Sequence, residues 1–151
     1  MHLRPFRAYD LETLYKIDQD CFPPGISYSR EELSGFIGRR RSRTWLAEES
    51  GETIGFLIAE RQAQKAAHIV TIDVVDRWRR RQVGTLLMDA AEDWAREQKL
   101  ALVYLETEEN NSAAQGFYEA RGYRKVDRVE NYYANGKSAW VMLKWLKRKE
   151  E

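Results

Sequence analysis

Apolar residues recur at Val83, Leu86, Leu87, Ala90, Ala91, Trp94 and Ala95, the spacing of a helix that buries one face. On either side of this helix the period changes. Ala67 to Val75 holds His68-Ile69-Val70-Thr71-Ile72, then Val74 and Val75, a β-branched run that predicts a central strand. Leu100 to Glu106 predicts another strand. Residues 2–8 predict a first strand, after which Asp10 is placed to cap a helix with Leu11, Leu14, Ile17 and Cys21 on one face. Pro23-Pro24-Gly25 is a break. Ser29 followed by Glu32 fits a capping box, opening a second helix that runs to about Gly38. Thr44 to Glu48 and Thr53 to Arg61 read as a hairpin turned at Ser50-Gly51. Asn111 to Ala120 predicts a short helix ending at Gly122, a natural left-handed cap. Tyr123 to Tyr133 and Ser138 to Lys147 read as a final antiparallel pair, with the hairpin signal Asn135-Gly136 between them.

Strands and helices alternate along the whole length, as an α/β or α+β domain requires. No repeat, low-complexity stretch or linker divides the 151 residues, so one domain over 1–151 is expected. Composition narrows the function. Twenty-five Lys and Arg against 24 Asp and Glu leave a net charge of +1, too little for strong attraction to nucleic acid or an anionic membrane. No apolar run approaches a membrane span, and the N-terminus MHLRPFRAYD lacks the apolar stretch of a signal peptide, so a cytoplasmic location is expected. One cysteine, Cys21, excludes an internal disulfide framework. With only His2 and His68 besides, no metal site is expected.

The chemistry-bearing stretch lies between the central strand and the long helix: Arg77-Trp78-Arg79-Arg80-Arg81-Gln82-Val83-Gly84. The first N–H groups of a helix have no internal partner, and the helix dipole is positive at that end, so a phosphate can sit there. Gly84 lets backbone approach a ligand, Arg79, Arg80 and Arg81 can add charge-assisted contacts, and Thr85 offers a hydroxyl. The loop has neither the Gly-Lys-Ser/Thr of a Walker loop nor the spaced glycines of a dinucleotide fingerprint. The bland alternative is a solvated basic turn.

Arg79-Arg80-Arg81-Gln82-Val83-Gly84-Thr85-Leu86-Leu87 resembles the acetyl-CoA-binding motif of the GNAT N-acetyltransferase superfamily, Arg/Gln-x-x-Gly-x-Gly/Ala. Arg79 matches its first position and Gly84 its last, while Gln82 replaces the middle glycine. Asn111-Ser112-Ala113-Ala114-Gln115-Gly116-Phe117-Tyr118-Glu119-Ala120-Arg121-Gly122-Tyr123 resembles a second segment of that superfamily, Asn-x-x-Ala-x-x-x-Tyr-x-x-x-Gly-Phe. Within it the likeness leans toward RimI-type and other protein Nα-acetyltransferases, through Cys21-Phe22, Leu105-Glu106, and Tyr132-Tyr133 followed by Ala139-Trp140-Val141-Met142. Asp73 departs from the small or apolar residue usual in the central strand, and Glu108-Glu109 replaces an arginine-containing approach to the short helix.

The resemblance implies a mixed, mainly antiparallel sheet flanked by helices, and acetyl transfer from acetyl-CoA to a primary amine, first of all a protein or peptide N-terminus. It implies Glu106 as the base, acting directly or through water, and Tyr118 as the acid at the leaving thiolate. It implies a backbone N–H near Val74 as oxyanion donor, and Arg79 through Thr85 as the diphosphate site. Asn111 would hold the pantetheine arm or cap its helix. Tyr28, Tyr132 and Tyr133 fall to the acceptor side, where strand packing would equally explain them. Direct attack in a ternary complex is expected, since Cys21 sits at the end of the first helix, far from the motif. Glu106 could instead be an exposed strand-end carboxylate, and Tyr118 a core residue. Arg39, Arg40, Arg41 and Arg43 read as a solvated helix end that could also attract an acidic acceptor, and His68 as a structural residue. Two rival functions stand beside this one. In one, a polyamine or aminoglycoside is acetylated at an acidic pocket of Asp73, Glu108 and Glu109. In the other, a non-catalytic module binds acyl-CoA. A monomer or homodimer is expected.

Overall fold

The computed structural model describes residues 1–147; residues 148–151 of the expected domain lie outside the described residues. In chain order the elements are β1 (His2–Pro5), α1 (Leu11–Cys21), α2 (Arg30–Ile37), β2 (Ser42–Glu49), β3 (Glu52–Gln62), β4 (Ala66–Val74), α3 (Val83–Glu97), β5 (Leu102–Glu108), α4 (Ser112–Ala120), β6 (Arg124–Val129) and β7 (Ala139–Trp145). They form one seven-stranded sheet in the order β1-β2-β3-β4-β5-β7-β6. Every neighbouring pair is antiparallel except β4–β5.

The two sheet faces carry separate apolar layers. The apolar stripe of α3 buries Val83, Leu87, Met88, Ala91, Trp94 and Ala95 against Leu57, Ala59, Ala67, Ile69, Val103 and Leu105. On the opposite face Leu14, Ile17 and Leu33 from α1 and α2 close over Leu46, Phe56 and Ile58. Burying each of these large side chains contributes about 1.5–3 kcal/mol.

One feature of the sheet makes a cleft. β4 and β5 pair only at Ala66–Leu102, Ala67–Val103 and His68–Tyr104. Beyond His68 they splay. On the other side of β4 the register with β3 slips, because Ile58 faces Thr71 while Ala59 faces Ile69 and Val70 is left over. Such a bulge bends its strand and tightens the local twist. The result is a V-shaped opening between residues 69–74 of β4 and 105–108 of β5.

Two local expectations change. Asp10 does not cap α1; its carboxylate takes a two-pronged bond from Arg4, at 2.9 and 2.7 Å, and the Arg7 N–H at 2.8 Å. The guanidinium holds its pKa below the usual carboxylate range. The final hairpin is not tight, since β6 ends at Val129 and β7 begins at Ala139. The intervening loop instead reaches the α1–α2 loop, where the Ala134 N–H donates to the Gly25 carbonyl at 3.1 Å. Gly25 has φ +91°, and a Cβ there would lie 2.6 Å from the Asn135 Cβ, so this crossing requires glycine. Ser29 and Glu32 form the capping box as expected.

Candidate active site

The splay opens into a cavity of about 1160 Å³, roomy for a long, flexible ligand. One end is the start of α3. The backbone N–H groups from Arg80 to Thr85 find no acceptor among the described residues; the next amide, Leu86, is the first to close a turn, onto the Gln82 carbonyl. Arg80 and Gln82 have φ of +61° and +70°. Left-handed residues alternating along a loop turn successive N–H groups toward one concavity, an anion-binding nest. Arg79, Arg80, Gln82, Gly84 and Thr85 line the cavity.

Two residues expected there play another part. The Arg81 guanidinium lies over the Trp78 ring, 5.5 Å from its centroid, and the Val83 side chain is buried in the core. Neither side chain lines the cavity. Gly84 also has a reason beyond ligand approach: a Cβ would press on the Phe117 ring at 3.2 Å, so the glycine lets α4 close against α3. Gln82 stands where φ favours glycine. Gln82→Gly is therefore expected to raise stability by up to about 1 kcal/mol, measured by urea unfolding.

The middle of the cleft is strand edge. The Val75 N–H bonds the Ile54 carbonyl at 2.9 Å, flanking the Gly55–Val74 pair. That register leaves the N–H and C=O of Val74 pointing away from β3, into the gap. The carbonyl accepts from Cys21 Sγ at 3.4 Å and from Arg79 Nε at 3.3 Å. Cys21 is thus beside the motif rather than far from it, because α1 lies across the end of β4. Burial and the neighbouring Asp73 push its thiol up to about 11, so it stays protonated and weakly nucleophilic at neutral pH.

Glu106 lines the cavity from β5 and is not an exposed strand end: only 14% of its side chain is accessible. Its Oε1 lies 2.7 Å from Nε2 of His68, and the His68 ring stacks on Tyr104 at 4.7 Å. Sequence reasoning gave His68 no site role. A lone polar residue one step before the β-branched run was the available signal. Tyr118 lines the cavity while its ring packs edge-on against Phe117 and Tyr123. Its hydroxyl makes no hydrogen bond within the described residues, and burial near Asp73 pushes its pKa well up. Core residue and cleft residue are here the same residue. Asn111 lines the cavity too, and its Oδ1 caps α4 at the Ala114 N–H, 3.1 Å.

The far wall comes from the two crossing loops. Phe22, Pro23, Ile26 and Tyr28 face Tyr132, Tyr133, Asn135 and Lys137 across it. Burial and nearby carboxylates raise all three tyrosines, Tyr28 to about 12, so each is a hydrogen-bond donor. The arginine run after α2 is elsewhere: Arg39 pairs with the buried Glu60 at 2.8 Å, and none of Arg39, Arg40, Arg41 and Arg43 lines this cavity. Of the three acids expected to form a pocket for a small amine, Asp73 and Glu108 line this cavity and Glu109 does not. Asp73 is buried against α1 and Glu109 pairs with Arg128 at 2.9 Å. No helix among the described residues is long and apolar enough to cross a membrane.

This geometry has close counterparts. An N-alpha-acetyltransferase of Sulfurisphaera tokodaii is 28% identical, over 93% of this chain and 90% of its own. The crystal structure of Ard1 from Thermoplasma volcanium superposes with a TM-score of 0.85 at 27% identity, covering 97% of this chain and 98% of that one. The ribosomal-protein-S18-alanine N-acetyltransferase from Escherichia coli shares the fold, with a TM-score of 0.86 at 21% identity over 99% of this chain and 97% of its own. Residues 11–123 match the model of the acetyltransferase (GNAT) family. The chain belongs to that family, whose members are acetyl-CoA-dependent N-acetyltransferases.

Proposed function

We propose that this enzyme acetylates the α-amine of a protein or peptide N-terminus by direct attack within a ternary complex. The observation that carries the reading is the placement of two proton-handling groups in one cleft. Glu106, held by His68, lines the cleft from β5, and the Tyr118 hydroxyl, unbonded among the described residues, lines it from α4. The N-alpha-acetyltransferase name of the S. tokodaii relative supports the choice of acceptor.

Acetyl-CoA supplies the acyl group as a thioester with a thiolate leaving group. The nest from Arg80 to Thr85 fits its diphosphate, since N–H donors with no acceptor among the described residues converge there. Arg79 and Arg80 add charge, and Asn111 lines the path between nest and splay. The N–H of Val74, turned into the gap, is placed to stabilise negative charge developing on the acyl oxygen, a contribution of about 2.7–4 kcal/mol for such a donor.

An attacking amine must be neutral. An α-amine, with pKa about 7.7–8.0, gives up its proton far more readily than lysine at about 10.4. Glu106 accepts that proton, directly or through one water, and His68 holds the carboxylate on the cleft side. Tyr118, kept protonated by burial, donates to the departing sulfur. Cys21 takes no covalent part, because its thiol is held neutral. The crossing loops, with Tyr28, Tyr132 and Tyr133, bound the acceptor.

Tyr118→Phe is expected to slow transfer by about 10²–10⁴-fold with the fold intact; single-turnover kinetics measure it, and wild-type rates would leave Tyr118 a packing residue only. The acceptor is tested by CoA release with three substrate sets: free-N-terminus peptides, α-blocked peptides carrying lysine, and polyamines. Turnover confined to the first set is the expected result. Turnover confined to polyamines would overturn the choice of acceptor.

A further inference from the structure

Two aspartates touch each other in the interior, beside the cleft. Asp18 on α1 and Asp73 on β4 are 0% and 1% exposed. Each has one oxygen committed elsewhere. Asp18 Oδ2 accepts the Tyr28 N–H at 2.6 Å, and Asp73 Oδ1 accepts the Thr71 hydroxyl at 2.6 Å. The remaining oxygens, Asp18 Oδ1 and Asp73 Oδ2, are buried and have no donor among the described residues. The two carboxyls lie within hydrogen-bonding reach of each other. Two carboxylates in such contact cannot both stay ionised, and one proton between them satisfies both orphan oxygens.

We propose that Asp18 and Asp73 share one proton, and that this bridge fixes the acceptor wall to the acyl-binding strand, making both aspartates positioning residues for acetyl transfer. The proposal rests on the function given above. Asp73 adjoins Val74, whose N–H enters the gap. Asp18 anchors the loop that carries Tyr28, and Gln19 holds the same residue through its carbonyl at 2.9 Å. The Tyr28 hydroxyl reaches the Val70 carbonyl at 3.4 Å. The bridge therefore sets how far the Tyr28 wall stands from β4.

The surroundings favour keeping the proton. From α1 the pair faces the neutral Cys21 thiol, and from the α1–α2 loop the neutral Tyr28 phenol. The neutral Tyr118 phenol faces it from α4, and Glu32 of α2 adds a negative charge. Among the described residues the cation that faces the pair is Arg79, which is half exposed and shared with Asp76. Burial and mutual repulsion hold the pair's second proton well above the usual carboxylate range. At alkaline pH the bridge is lost and the loop loses its anchor.

Asp73→Asn supplies a donor that needs no titrating proton, whereas Asp73→Ala leaves Asp18 Oδ1 unpartnered. Asp73→Ala is expected to raise the acceptor KM roughly tenfold, as loss of one buried hydrogen bond would, with acetyl-CoA affinity unchanged. Asp73→Asn should restore the acceptor KM at neutral pH and hold it at alkaline pH, where the wild-type KM climbs. If the Asn variant behaves like the Ala variant, or if wild type and Asn share one KM–pH profile, the proposal falls. Urea unfolding tests the bridge without turnover. Because the folded pair keeps a proton that an unfolded aspartate loses near pH 3.9, the folded-to-unfolded ratio should fall by about tenfold per pH unit above that value until the pair ionises. Asp73→Asn should abolish this slope, and an unchanged slope would refute the bridge. Failure of every amine substrate would sink the proposed function, while the unfolding result would still decide the bridge.

Discussion

Glu106→Gln is expected to lower kcat by about 10²–10⁴-fold while leaving acetyl-CoA affinity unchanged, the signature of a lost base rather than a lost ligand contact. The glutamine amide matches the carboxylate in size, so His68 keeps a hydrogen-bonding neighbour at the same place. The change removes only the capacity to take the amine's proton. Raising pH should recover part of the loss, because more of the α-amine is then already neutral. Stopped-flow or steady-state rates across pH measure both effects. Full activity of the variant at every pH would remove Glu106 from the reaction.

Gly84→Glu is expected to cut acetyl-CoA affinity by at least about a hundredfold. A carboxylate placed among free N–H groups at a helix start is itself a good ligand for them, so it competes with the diphosphate and repels it. The side chain must also displace the Phe117 ring, which lies 3.2 Å from where its Cβ would go. Gly84→Ala separates the two causes, since it presses on the ring without the charge. The expected order of affinity is wild type, then Ala, then Glu, measured with circular dichroism to verify that helices persist. Equal affinity in all three would dissociate the nest from cofactor binding.

Much of the fold could be read from the chain because local signals agreed with one another. The α3 stripe, the Ser29–Glu32 box and the Asn111 cap are each set by residues within a turn or two. Asp10 was misread because its partner, Arg4, offers two strong bonds that outweigh a cap. Asn135-Gly136 promised a tight hairpin, but the loop is held open by its bond to Gly25, more than a hundred residues away in sequence. The site followed the same rule. The loop from Arg79 to Thr85 was legible because strand, loop and helix are contiguous. The His68–Glu106 contact was not, since it depends on β4 lying parallel to β5 with His68 opposite Tyr104. Cys21 was placed far from the cleft for want of the angle at which α1 crosses β4. Asp73 stood out in sequence as an acid in an apolar strand, but only packing shows that Asp18 is what it meets.

We propose that the amides from Arg80 to Thr85 hold a diphosphate and so aim a thioester at the splay between β4 and β5. Isothermal titration of the full chain with acetyl-CoA, alongside dephospho-fragments that lack the diphosphate, tests it most directly. Saturable one-to-one binding that collapses when the diphosphate is removed is the expected result. Absence of saturable heat with acetyl-CoA, or equal affinity for pantetheine fragments without the diphosphate, would contradict it.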